Sequence, residues 1–449
     1  MNKKVKTPVL DFVNDYIKSG RSRFHMPGHK GKRFLGIEGY DITEIEGADV
    51  LYSADGIIDE SESIASELFN TAHSYYCTGG STTAIYAMLA LVADKNEERT
   101  HILAARNVHK AFINACAILD YDVSWIMGEE FSHICRCKIT PKMVEEAIKN
   151  AEHKPSAVYL TSPDYLGNIQ DIEEISKICK AYDVPLLVDN AHGAYLGFLE
   201  KSLHPIHLGA DICCDSAHKT LPALTGAAYL HISKDAPYEY VKNARKKLSV
   251  FASSSPSYLI LQSLDMVNSY LAKSIRKDLL RCIKSIDQIK GYILGKGFLV
   301  CKTEPLKIVI DALKSGYTGI ELAQLLRRHK IEPEFYDNDF LVLMVSTQNK
   351  RRDFKRLKSA FSTLCAKPEI PKPVIKPPHS IKTATSIRRA VFSESESVDI
   401  CKAVGRICAS PTVSCPPAVP IAISGELIGE DMISLFKHYG IKKIEVVKE

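Results

Sequence analysis

The sequence predicts an α/β protein: a large domain on a mostly parallel, doubly wound sheet, then a smaller α/β domain and a C-terminal α+β module. Three observations carry this. Strand-like apolar runs alternate with helix-like segments from residue 74 to 232, the pattern of βαβ units. Val184-Pro185-Leu186-Leu187-Val188 is almost continuously apolar, as a strand buried on both faces must be, and it ends in Asp189. The turn Cys214 to Pro222 separates two further apolar segments and carries Lys219.

In chain order, Val9, Phe12, Val13, Tyr16 and Ile17 after Pro8 predict a helix over residues 8 to 19. His25, His29 and Lys30 then surround the Pro27-Gly28 turn with no acidic residue or cysteine beside them in sequence, a grouping expected at a surface or interface rather than around a metal. Residues 59 to 70 read as a helix and Ser74 to Thr78 as a strand. Gly79-Gly80-Ser81-Thr82-Thr83 follows, opening a helix with Ala84, Ile85, Ala87, Met88, Leu89, Leu91 and Val92 on its apolar surface. Strand, glycine turn and helix leave backbone N–H groups unpaired and add hydroxyl donors, which suits a phosphate. Ser81 and Thr82 are assigned to it, although many ordinary turns share the wording.

Ile102 to Ala105 and Ala157 to Thr161 read as strands with polar ends, and Ile172 to Tyr182 as a helix. One long helix is expected from about residue 257 to 290. Strands at 306–310 and 340–345 and helices at 317–329 and 352–365 suit the smaller domain. Lys367 to Pro378 is a stiff, proline-rich linker, and the last module begins with a helix around Val398 to Val404. The expected divisions are an N-terminal arm (1–58), a large domain (59–290), a small domain (291–367), a linker (368–379) and a C-terminal domain (380–449).

Composition excludes several classes. The net charge of +5 over 449 residues, without a strong basic block, does not suggest nucleic-acid binding. No apolar run reaches membrane-spanning length, and the N-terminal residues are polar, so no membrane is expected and a cytoplasmic location is. The thirteen cysteines are scattered and often within apolar runs. Cys135 and Cys137 have no second pair at zinc spacing, so buried reduced thiols and no metal are expected.

The chemistry lies in Asp189 and Lys219. Burial disfavours a lysine cation, a cost removed if the amine is consumed in a Schiff base. A carboxylate at the carboxyl edge of an α/β sheet faces the position where such sheets bind ligands. Together they form the arrangement pyridoxal 5'-phosphate requires: a lysine to bond it, and an acid to keep its ring nitrogen protonated.

The pair resembles the fold-type I pyridoxal-phosphate enzymes, and more closely the Orn/Lys/Arg decarboxylase family. Phe24 to Gly31, Tyr40 to Ile45, Ser81-Thr82, Ser216-Ala217-His218-Lys219 and Pro416-Pro417-Ala418-Val419-Pro420 fit that family in order and spacing. The resemblance implies decarboxylation of lysine, arginine or ornithine to the amine and carbon dioxide, feeding polyamine formation. It implies that Lys219, His218 and Asp189 are catalytic and that His109 stacks on the coenzyme ring. His192 would lie against the coenzyme, Ser216 and His218 would add phosphate contacts, and Ser254 or Ser255 would reach the phosphate of a partner subunit in a homodimer or larger assembly. Glu426 would remain available for the distal cation of the substrate, or be an ordinary solvated turn residue.

The wording departs at Asn190, where Glu is common, at Tyr195, where a second His often occurs, at Ser414-Cys415 and Ala418, and at Ser424-Gly425-Glu426. These departures are expected on the substrate side. Two other readings stay open. One is an aminotransferase or lyase, gripping the α-carboxylate with Arg327 or Arg328. The other is a regulatory homologue without turnover.

Overall fold

The computed structural model describes residues 5–93, 99–129, 133–371, 381–410 and 420–448. The carboxy-terminal proline motif, except Pro420, and much of the expected linker lie outside them. Seven strands, β1 (His73–Cys77), β2 (His101–Ala105), β3 (Asp122–Ile126), β4 (Ala157–Thr161), β5 (Leu186–Asp189), β6 (Ile212–Asp215) and β7 (Ala228–Ile232), form a sheet in the order β1-β7-β6-β5-β4-β2-β3. This is the expected mixed α/β class with a mostly parallel sheet. The exception is β7, antiparallel to both β6 and β1, with Cys213 opposite His231 and Tyr75 opposite Leu230. The β6–β7 connection holds only the single turn Ala217–Thr220, so the chain returns antiparallel without a full crossover helix.

The chain divides into two compact units. The first comprises residues 1–93, 156–158 and 172–277. Its opening helix, Pro8–Lys18, starts with proline at its first position and buries Val9, Val13 and Tyr16 at spacings of four and three. The helix Ile172–Ala181 likewise buries Ile172, Ile175, Ser176 and Cys179, with Glu173 and Glu174 at its positive end and Lys180 in its last turn. The arm after the first helix stays open: Phe24, Phe34 and Leu35 are 96%, 79% and 86% exposed. His29 pairs with Asp41 at 3.2 Å, a carboxylate twelve residues away that the local sequence does not set beside it.

The second unit comprises residues 94–155, 159–171 and 278–449. It holds a four-stranded sheet of β8 (Leu299–Val300), β9 (Lys307–Asp311), β10 (Phe335–Tyr336) and β11 (Phe340–Met344), in the order β10-β11-β9-β8. The helix Gly319–Arg328 is closed by a capping box in which Thr318 and Glu321 exchange hydrogen bonds. Near the C-terminal end β12 (Ser395–Asp399) pairs antiparallel with β13 (Lys443–Val447), Val398 opposite Ile444.

Two expectations are corrected. The segment around Val398 is a strand followed by the short turn Ile400–Lys402, not a helix, because its alternating residues find a partner strand more than forty residues away. The expected helix 257–290 is two helices, Tyr258–Lys273 and Ile275–Gly295, broken at Ser274 with φ −127°. Leu271 and Ile275 are both buried and keep the helical spacing across the break, which conceals it in the sequence.

Candidate functional site

The first unit gathers most of the expected site. Strand β5 delivers Asp189 to its carboxyl end, nearly fully buried, and the parallel neighbour β6 ends just before Ser216. Oδ1 of Asp189 accepts from Ala191 N at 3.1 Å and lies 3.6 Å from Cys214 Sγ. The chain then turns sharply, with Gly193 N bonded to Asn190 O at 2.7 Å. A Cβ on Gly193 would come within 1.9 Å of Asn190 Oδ1, so the turn requires glycine. It presents His192, whose Nε2 stands 3.1 Å from Lys219 Nζ.

The lysine turn and the glycine turn are fastened to each other. Gly80 N donates to Gly226 O at 2.8 Å, and Ser216 Oγ donates to Ser81 Oγ at 2.9 Å. Gly80 and Gly226 both have positive φ, +72° and +95°, which glycine adopts without strain. The helix Gly80–Leu91 starts here, with Ser81 half-buried and Thr82 exposed at its N-terminal end. His218 Nδ1 donates to Ala227 O at 2.8 Å, which fixes the ring and leaves Nε2 as its other nitrogen. Burial pushes His218 below its usual value; the Ala227 carbonyl opposes this and the Lys219 charge adds to it.

Behind this surface lies a polar cluster that the sequence reading missed. Asn190 is fully buried, and its Nδ2 donates to Asp215 Oδ1 at 2.6 Å. This corrects the expectation for Asn190, whose amide is turned into the protein. Tyr195 is also fully buried. Asp215 Oδ2 accepts from His204 Nε2 at 3.0 Å and His231 Nε2 at 3.2 Å. Burial alone would raise the Asp215 carboxyl, but the two imidazoles hold it well below the usual carboxylate range. Burial lowers His231 although Asp215 opposes it.

Other expected residues fall elsewhere. Ser254 and Ser255 are exposed in the first unit. His109, in the second unit, caps the helix Lys110–Leu119 by accepting from Ala111 N. Arg327 is engaged by Glu332 at 2.6 Å and by the Tyr336 hydroxyl at 3.1 Å. Glu426 departs most from expectation. It is 2% exposed, and its two oxygens each accept from Arg106, at 2.8 Å and 2.8 Å. Ile423 N adds a third bond to the same carboxylate. It is neither solvated nor open to a substrate cation unless Arg106 lets go. Glu426→Ala is therefore expected to cost about 3–5 kcal/mol in urea unfolding, by stranding a buried guanidinium. Arg106→Met with Glu426→Leu should recover most of that. A single-variant cost below about 1 kcal/mol would show that the pair carries little of the fold.

The sequence pattern of the Orn/Lys/Arg decarboxylase major domain matches residues 7–312, and that of the family's C-terminal domain matches residues 368–441. The arginine decarboxylase of Halalkalibacterium halodurans is 29% identical over 476 residues, 97% of this chain and 94% of its own. An arginine decarboxylase of Bacillus subtilis is 28% identical over 481 residues, 96% and 94% of the two chains. Among solved structures, the Francisella novicida lysine decarboxylase superposes with a TM-score of 0.83 at 17% identity, over 99% of this chain and 81% of that one. For the constitutive lysine decarboxylase of E. coli the TM-score is 0.77 at 16% identity, over 99% and 82%. At such identities the structures establish a shared fold. No helix among the described residues is long and apolar enough to cross a membrane.

Proposed function

Because the chain belongs to the Orn/Lys/Arg decarboxylase family, we propose that it decarboxylates lysine, arginine or ornithine, with pyridoxal 5'-phosphate held at Lys219. One observation carries the site: Lys219 Nζ, His192 Nε2 and the fastened Ser81–Ser216 turns occupy one unit with Asp189. These residues suit the coenzyme. A buried carboxylate meets the need of a protonated ring nitrogen, and a helix start with nearby hydroxyls meets that of a phosphate. When bound, the coenzyme supplies an electron sink for the bond pair that carbon dioxide leaves behind.

The rest is done by this chain's groups. Lys219 holds the coenzyme through Nζ, and Asp189 holds the ring-nitrogen proton through its carboxylate. Ser81, Thr82 and Ser216 donate to phosphate oxygens. His192 orients Nζ of Lys219. His218, fixed through Nδ1, is placed with Lys219 to return a proton to the substrate carbon. His109 as the ring-stacking group rests on resemblance, as does Ser254 or Ser255 as a phosphate donor to a partner subunit in a homodimer. A chain that sediments as a monomer under assay conditions and still turns over would exclude that sharing.

The substrate test is carbon dioxide release from lysine, arginine and ornithine, offered separately with added coenzyme. Release from one of them, matched by its amine, is expected. Amino-group transfer to a keto acid without carbon dioxide would favour the aminotransferase reading, and no reaction with any of the three would favour the regulatory one.

A further inference from the structure

We infer that Asn190 is a positioning residue for the reaction: anchored on Asp215, it fixes the turn that aims His192 at Lys219. The inference rests on the reading that Lys219 bonds the coenzyme, and it adds a residue whose own side chain is turned into the protein. Residues 190–193 form a tight turn, closed by Gly193 N donating to Asn190 O at 2.7 Å, with His192 as its third residue. The Nε2 atom of His192 stands 3.1 Å from Lys219 Nζ.

The other positions of that turn are each held. Asn190 is fully buried and tied twice, by its N donating to Cys214 O at 3.0 Å and by Nδ2 donating to Asp215 Oδ1 at 2.6 Å. Ala191 N donates to Asp189 Oδ1 at 3.1 Å. Gly193 sits so close to the Asn190 amide oxygen that no side chain fits between them. The amide is therefore wedged between Asp215 and Gly193, and the peptide that carries His192 has little freedom to swing.

The anchor is itself immobile. Asp215 is fully buried at the end of β6, and its Oδ2 accepts from His204 Nε2 at 3.0 Å and His231 Nε2 at 3.2 Å. Turning it away from Asn190 would strand buried donors on several sides, each at the cost of an unmade bond. Asp215 also directly precedes Ser216, whose hydroxyl donates to Ser81 Oγ at 2.9 Å where the lysine turn meets the glycine turn. One carboxylate thus sets the turn bearing His192 in register with the turn bearing Lys219. An amide suits the place. A leucine of similar size cannot donate to Asp215, and an aspartate would set a second carboxylate against it. The rival arrangement is one in which the Asn190–Asp215 bond serves stability alone and His192 is held by its own packing.

The rate at which the apoprotein captures pyridoxal 5'-phosphate separates the two. Capture condenses the Lys219 amine with the coenzyme aldehyde and releases water; visible absorbance follows it without any turnover. His192→Leu should slow capture about three- to tenfold, the worth of one hydrogen bond, and move its pH midpoint. Asn190→Leu should do the same to a similar extent. The double variant should be no slower than His192→Leu and keep its midpoint, because Asn190 acts through His192. Melting temperature and near-UV circular dichroism report folding, and Asn190→Ala takes the place of Asn190→Leu if the leucine does not fold. Capture at the wild-type rate by a folded Asn190 variant overturns the inference. So does a double variant whose slowing is the product of the two singles, or an Asn190 variant that melts earlier without moving the midpoint. None of these results touches the functional reading while borohydride still fixes the wild-type coenzyme on Lys219; an adduct on another lysine would remove both.

Discussion

Lys219→Ala is expected to leave a folded protein that binds the coenzyme more weakly and turns over at least about a thousand-fold more slowly, since it removes the group proposed as both covalent anchor and proton carrier. Lys219 is half-buried and its Nζ is held at 3.1 Å by His192, but neither the Gly80–Gly226 nor the Ser81–Ser216 link depends on its side chain. The turn should therefore survive truncation. Borohydride treatment of the wild-type holoenzyme should fix the coenzyme on one peptide, the one containing Lys219. An adduct mapped to another lysine would end the assignment of this turn, whatever the variant's activity.

Asp189→Asn should lower kcat by about 10²–10⁴-fold while moving KM far less, an estimate scaled to the loss of one proton-holding group in the transition state. The structure makes this a test of charge rather than of folding. An asparagine there keeps an Oδ1 to accept from Ala191 N and to face Cys214 Sγ, so the end of β5 retains its local contacts. Binding that is equal in ground and transition states does not accelerate chemistry, so a carboxylate acting on the developing carbanion shows in kcat. An unchanged kcat with an unchanged melting temperature would mean that Asp189 does not serve the ring nitrogen.

How much of this was legible depends on how far the partners lie apart in sequence. The Gly79-Gly80-Ser81-Thr82 turn, the β5 strand and the lysine turn are local signals, and the sequence placed each on the right kind of element. Asn190 looked like a substrate-side departure because Glu is common at that place in the family the sequence resembles. Its partner, Asp215, is twenty-five residues on, in the next strand of the sheet. Glu426 looked available because a turn glutamate usually is; Arg106 is separated from it by 320 residues. The break at Ser274 and the strand at Ser395–Asp399 escaped for a related reason. Helical spacing continues through the first, and the second is decided by a partner strand at the C-terminal end.

The open arm of the first unit bears on how the protein behaves on dilution. Phe24, Phe34 and Leu35 lie within a dozen residues of one another and have almost no cover from their own chain. Burying each would be worth about 1.5–3 kcal/mol. If a second copy supplies that cover, part of what holds each chain folded is borrowed from its neighbour and follows mass action. The melting temperature of such a protein climbs with its concentration, and Phe34→Ser together with Leu35→Ser would make it lower and independent of concentration.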